Sequence, residues 1–130
     1  MALAPIVDTR VTIAALQYAA TFGYTVWLTP MEPWLATSGV AHAGEMATRL
    51  GLKSVPVYAE GLALAALLRI AEATGVRLHV ARLTTAEGVA LVRSAKARGM
   101  RVSADVAVHH LHLSDRDIGD FDSNYRVMPP

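Results

Sequence analysis

The strongest constraint on this chain is the order in which two hydrophobic periods alternate along it. Val11, Ala15, Tyr18 and Phe22 recur at helical spacing from a start at Asp8 or Thr9, and Gly23 follows, which predicts a helix with a glycine stop. Tyr24 to Leu28 is β-branched and aromatic, and Pro30 and Pro33 end its capacity to pair, so a short strand is expected. Residues 30–41 read as a loop. Glu45 to Leu50 predicts a short helix before Gly51, and Ala59 to Thr74 a longer one before Gly75. Val76 to Leu83 reads as a second strand. Thr84 or Thr85 then caps a helix that runs to Arg98, with Thr84 and Glu87 at capping-box spacing. Met100 to Val108 is a third apolar strand, and His109 to Pro130 a polar loop with at most one helical turn at Ser114 to Ile118. Strands separated by helical crossovers of roughly a dozen residues or more pair in parallel, so the class is α/β, about three parallel strands with flanking helices.

A chain of 130 residues has room for one core, so residues 1–130 are taken as a single unit. With 53% hydrophobic and 18% charged residues it is not a disordered segment, and it carries more apolar surface than a domain this small readily buries. A net charge of +1 gives no global attraction to nucleic acid or to an anionic membrane, and neither is expected as a partner. The absence of cysteine removes thiolate chemistry and agrees with a reducing, cytoplasmic setting. Residues 11–31 lack charge but contain Gln17, Gly23 and Pro30, and the run Gly61 to Leu68 is too short to span a bilayer, so a soluble protein is expected. Three strands leave two edges to cover. Association with a partner or a second copy, or membership of a larger fold, is the expected remedy.

Among chemically suggestive residues, His109-His110-Leu111-His112 stands out. If extended, His110 and His112 point to one face, a spacing used by metal hydrolases, and a zinc site would need a third ligand such as His79 or Asp105. The same histidines also suit a solvated or hydrogen-bonding loop. Asp120, Asp122 and Asn124 match the start of a calcium loop, but Tyr125 stands where that loop needs glycine, so calcium is not expected. Phosphate-binding glycine loops and the nucleophile elbow are missing. Arg82 falls at the end of the second strand, where parallel sheets bind ligands; it is placed either to clamp a carboxylate or phosphate or to pair with Glu32 or Asp105. Trp27, Trp34 and Tyr58 read as core or interface anchors.

The run from Gly39 to Leu52 (GVAHAGEMATRLGL), Pro56, Ala59-Glu60, Thr74-Gly75 leading to His79, Ala95-Lys96, Gly99, and Asp105 to Leu113 with Pro129-Pro130 together resemble the dihydroorotases of the long, aspartate-transcarbamoylase-associated type. The resemblance is nearly continuous from about Pro5 to Pro130. It implies a middle-to-late piece of an amidohydrolase TIM (β/α)8 barrel, because a whole barrel needs about 200 residues or more. It also implies that His110 and His112 lie after a later strand and do not form the family's own metal-binding His-x-His.

Three departures bear on function. Where active members of the resembled family place a histidine metal ligand within Asp-His-Cys-Glu, this chain reads Thr29-Pro30-Met31-Glu32. Where they have a second, ligating histidine after the one matching His79, it has Arg82, and the substrate-contacting Asn of Asn-Pro-Pro is Met128. Proline has no side-chain donor atom and arginine no lone pair for zinc. The resemblance therefore implies a non-catalytic relative, similar to the inactive dihydroorotase homologues that hold bacterial aspartate transcarbamoylase in large hetero-oligomers. No catalytic residue and no cofactor are expected on that reading. The alternative is a divergent zinc-dependent dihydroorotase, whose residual site would draw on His79, Asp105, His110 and His112.

Overall fold

The computed structural model describes residues 8–119 and 122–130. Pro5, where the resemblance begins, and Asp120, first of the acidic series, lie outside the described residues. Helix α1 (Thr9–Thr21) is capped by Asp8, whose side chain accepts from the Arg10 N–H at 2.8 Å. Strand β1 (Thr25–Leu28) leads through the one-turn helix α2 (Pro33–Ala36) to β2 (Ala41–His42), α3 (Glu45–Arg49) and β3 (Ser54–Val55). The long helix α4 (Tyr58–Thr74), strand β4 (Arg77–Val80), helix α5 (Ala86–Ala97) and strand β5 (Val102–Ala104) follow. A helical turn α6 (His109–His112) and two 3-10 turns, Asp115–Ile118 and Ser123–Tyr125, close the chain.

Strands β1, β4 and β5 form one parallel sheet in that order, and β2 pairs with β3 in a separate two-stranded ribbon, also parallel. The expected α/β class and the three parallel strands are therefore present. Successive strands of the main sheet lie side by side, as in an arc of a barrel. Period-2 alternation sorts their side chains. Val26 and Leu28, Leu78 and Val80, and Val102 and Ala104 pack with Leu16 of α1, Leu64 and Leu68 of α4 and Val92 and Ala95 of α5 in a single core. The opposite positions, Trp27, His79 and Ser103, share one cross-strand row on the face away from the helices.

Several boundaries differ from the sequence reading for local reasons. The loop expected at 30–41 contains α2, because Glu32 caps it by accepting the Leu35 N–H at 2.6 Å and Pro33 suits a first helical position. The strand expected over Val76–Leu83 is four residues long, because Arg82 turns the chain with φ of 59°. The strand expected over Met100–Val108 stops at Ala104, and Ala107 already accepts the His110 N–H of the helical turn that follows. The cap of α5 is Thr85, whose Oγ1 accepts from the Gly88 N–H at 3.0 Å; Thr84 serves elsewhere, so the Thr84–Glu87 capping box is not formed.

Candidate functional site

The ends of β1, β4 and β5 bring together most of the residues singled out in the sequence. Pro30 is buried just beyond β1. Arg82 follows β4, and its left-handed backbone, unfavourable for a residue with a Cβ, is held from both ends. Its N–H donates to Asp105 Oδ1 at 2.7 Å, while the guanidinium donates to the Met128 carbonyl at 2.8 Å and to Thr29 Oγ1 at 3.2 Å. The guanidinium thus makes neither of the ion pairs weighed for it, with Glu32 or Asp105. Glu32 is occupied at the α2 cap, and the Asp105 oxygens go to the Arg82 backbone and to His79. Arg82 instead bridges β1 to Met128, through neutral acceptors that leave its charge unmatched by a carboxylate.

His79 lies inside β4 with its ring held on three sides. Nε2 meets Asp105 Oδ2 at 2.8 Å, Nδ1 meets Ser103 Oγ at 2.8 Å, and Trp27 covers the ring with centroids 4.1 Å apart. The hydrogen bond from His79, seconded by the Arg82 N–H, holds the Asp105 carboxyl below its ordinary range. His79 and Asp105, two of the four residues named for a residual metal site, are therefore in contact. His110 and His112 are not extended, as the His-x-His reading required, but sit on the α6 turn, where residues two apart do not share a face. His110 Nε2 reaches the Pro129 carbonyl at 3.2 Å, and its Nδ1, like His109 Nε2, is buried with no partner. Burial lowers the His110 pKa, with a smaller contribution from the charge of His109. Among the described residues, no three His, Asp or Glu side chains gather closely enough to hold a metal ion.

The zinc implied by the resemblance does not fit the residues present at the strand ends. Proline offers no donor atom, and the Arg82 guanidinium presents hydrogen-bond donors only.

Two features escaped the sequence reading. Glu60, in the first turn of α4 and 2% exposed, accepts four hydrogen bonds: from Thr84 N and Oγ1 at 2.7 and 2.9 Å, and from Thr85 N and Oγ1 at 3.1 and 2.5 Å. This buried carboxylate ties α4 to the turn that starts α5. In the sequence Glu60 stood out only within the Ala59-Glu60 match of the resemblance, and Thr84 and Thr85 only as caps of the next helix. Ser103 was missed as well, although alternation with Asp105 places it on the side of the sheet that His79 occupies. Trp27, Trp34 and Tyr58 are exposed and none is a core anchor; Trp27 is the one with a defined role, covering His79. A cavity of about 10 Å³ beside Glu60, lined also by His42, Thr84, Thr85 and Pro130, has room for a single water.

No family model matches the chain. A dihydroorotase of Carboxydothermus hydrogenoformans is 43% identical over 96% of this chain and 29% of its own length. Dihydroorotase-like proteins of Pseudomonas aeruginosa and Pseudomonas putida are 46% and 43% identical, over 93% and 98% of this chain. Over nearly its whole length the chain is similar to a segment of dihydroorotases and dihydroorotase-like proteins. It spans about three tenths of the length of these relatives. Among solved structures, a D-hydantoinase superposes with a TM-score of 0.68 at 23% identity over 94% of this chain and 28% of its own. The dihydropyrimidinase of Brevibacillus agri gives 0.70 at 19% identity, over 88% and 26%. These establish the fold: parallel strands and flanking helices arranged as in part of the barrel of those proteins.

Proposed function

We propose that this chain is part of a dihydroorotase-like protein of de novo pyrimidine biosynthesis that does not hydrolyse dihydroorotate and works by associating with the catalytic subunit of aspartate transcarbamoylase in a homo- or hetero-oligomer. The observation that carries the reading is Arg82, whose guanidinium links Met128 to Thr29 beside the buried Pro30. By the resemblance these are positions at which a metal-dependent relative needs lone pairs, and a cation and a ring with no donor atom supply none. The relatives named dihydroorotase-like support the assignment to a divergent branch. The cysteine-free composition agrees with a cytoplasmic location, and among the described residues no helix is long and apolar enough to cross a membrane.

The test is a pair of measurements. Sedimentation velocity of the chain with purified aspartate transcarbamoylase should give a faster-moving complex, and a dihydroorotate assay in zinc-containing buffer should give no turnover by the chain alone or in that complex. Turnover that disappears on chelation would overturn the non-catalytic reading, and independent sedimentation of the two proteins would overturn the partnership.

The divergent-hydrolase alternative has one observation in its favour. Arg82 uses two of its five N–H groups on neutral acceptors, leaving donors to grip a substrate carboxylate. Under that reading Arg82→Ala weakens dihydroorotate binding measured by calorimetry, and Pro30→His with Arg82→His leaves activity no higher than before. Under the non-catalytic reading there is no binding to weaken.

A further inference from the structure

The amino-terminal end of the sheet, where β4 and β5 begin, holds a cleft of about 220 Å³ between the last turn of α4 and the turn joining α5 to β5. Its lining falls within residues 71–102, so two consecutive βα units supply both of its walls. Gly75 and Gly99 make the turns possible: each stands in the left-handed region, with φ of 68° and 81°, and swings the chain from a helix end into a strand. Val76, Met100 and Val102 then give the cleft an apolar lining. The charges around it are unequally matched. Glu72 is shared by Arg69 at 3.0 Å and Arg98 at 3.5 Å. Arg98 spends its remaining nitrogens on Ser94 Oγ at 2.8 Å and Met100 Sδ at 3.5 Å. Arg101 has one acceptor, the Gly75 carbonyl at the end of α4, and no carboxylate of the described residues comes within ion-pair distance of it. That bond uses one of the five guanidinium N–H groups and leaves four, with the charge, for a ligand.

We propose that this cleft binds a small monocarboxylate, with Arg101 holding the carboxylate and an apolar body, a phenyl ring or a branched alkyl group, lying against Val76, Met100 and Val102. The site shares no residue with the carboxyl-terminal ends of the strands and is independent of the function proposed above. Three features select this class. The planar fork of a guanidinium matches a carboxylate through two parallel N–H···O bonds, which a hydroxyl or an amide cannot reproduce with the same strength. Glu72 lines the same cleft, and the carbonyl ends of α4 and α5 point toward this end of the sheet, so a second negative charge on the ligand is opposed. The volume exceeds the roughly 150 Å³ of an apolar cavity that takes up benzene, which leaves room for a ring and its carboxylate but not for a much larger molecule.

The probe is hydrocinnamate, titrated into the isotope-labelled 130-residue chain and followed by amide NMR. The resonances of Gly75, Val76, Arg101 and Val102 should shift along one saturable curve with a Kd of about 1 mM or tighter, a value within reach of a ligand of about a dozen heavy atoms. Hydrocinnamide has the same shape without the charge, and acetate the charge without the ring; each should bind about tenfold more weakly or worse. Arg101→Gln should weaken hydrocinnamate by a similar factor, and Arg101→Lys, which keeps the charge and loses the fork, by less. Arg101 also caps α4, so urea midpoints of the variants report the fold separately, and the hydrocinnamide comparison on the unaltered chain tests the charge without any substitution. Phenyl phosphate, a dianion above neutral pH, should bind more weakly than hydrocinnamate, and tighter binding would overturn the monocarboxylate class. Equal affinity for hydrocinnamide, shifts centred away from the two turns, or no saturable shift at about 10 mM would overturn the site and leave Arg101 as a cap of α4.

Discussion

Glu60 is the residue on which the junction of α4 and α5 depends, because its carboxylate satisfies two backbone N–H groups and two hydroxyls inside the protein. Glu60→Ala strands those donors in a buried site, and the expected loss is about 3 kcal/mol or more in urea unfolding. Glu60→Gln keeps the volume but points an amide N–H₂ at donors, so a smaller loss of about 1 to 2 kcal/mol is expected. His110 supplies a pH dependence whose sign follows from its burial. Its pKa is lowered in the folded chain, so its contribution is complete above the unfolded value of about 6.5 and is lost as pH falls through the lower folded value. Thermal midpoints of the wild type should decline from pH 7 toward pH 5, and His110→Asn should flatten that part of the decline. Pro30 and Arg82 could be singled out from the sequence because neither side chain can ligate a metal wherever it sits. Glu60 was not, since its partners are more than 20 residues away and only the packing of two helix starts brings them together. The partner of Arg82 at Met128 is more distant still, which is why the ion pairs considered from sequence, both with carboxylates, were the wrong ones.

Helix α5 shows how packing overrides propensity at the scale of an element. Gly88 lies in its first turn, where alanine would ordinarily gain up to about 1 kcal/mol. A Cβ there would collide with Glu60 Oε1 and press on the Leu83 side chain, so Gly88→Ala should instead destabilise by about 1 to 3 kcal/mol, read from the urea midpoint. The two threonines before the helix separate in the same assay. Thr85→Ala removes the cap and one bond to Glu60, whereas Thr84→Ala removes only a bond to Glu60, so the first should cost more by about 1 kcal/mol. The long helices α1, α4 and α5 were readable because three or more turns of period and a closing glycine define each one. The two-residue strands β2 and β3 were not, since a pair of residues has no period, and their pairing arises from the chain around α3. The His109–His112 turn was hidden for the same reason. Its histidines have no strong preference of their own, and the helical turn is set by the carbonyls of Ala107 and Val108.

At the scale of the whole chain, the strands of the β1–β4–β5 sheet share one core with the helices but differ in how many neighbours hold them. Central β4 has a partner on both sides, while β1 and β5 each have one among the described residues. Native-state hydrogen exchange should therefore find the slowest amides at Leu78 and Val80, with β1 and β5 opening at lower free energy. The face opposite the helices makes a second, sharper expectation. Trp27 lies on that face at 66% exposure and Trp34 on α2 at 76%, so in the isolated chain iodide should quench both, as read separately in the Trp34→Phe and Trp27→Phe variants. Association through the sheet face, whether with a second copy or with a larger partner, covers Trp27 and leaves the α2 indole open. Titrating protein concentration or aspartate transcarbamoylase should then lower the quenching of the Trp27 signal alone. Loss of quenching at Trp34 with Trp27 unaffected would place the interface on the α2 side and leave the sheet face free.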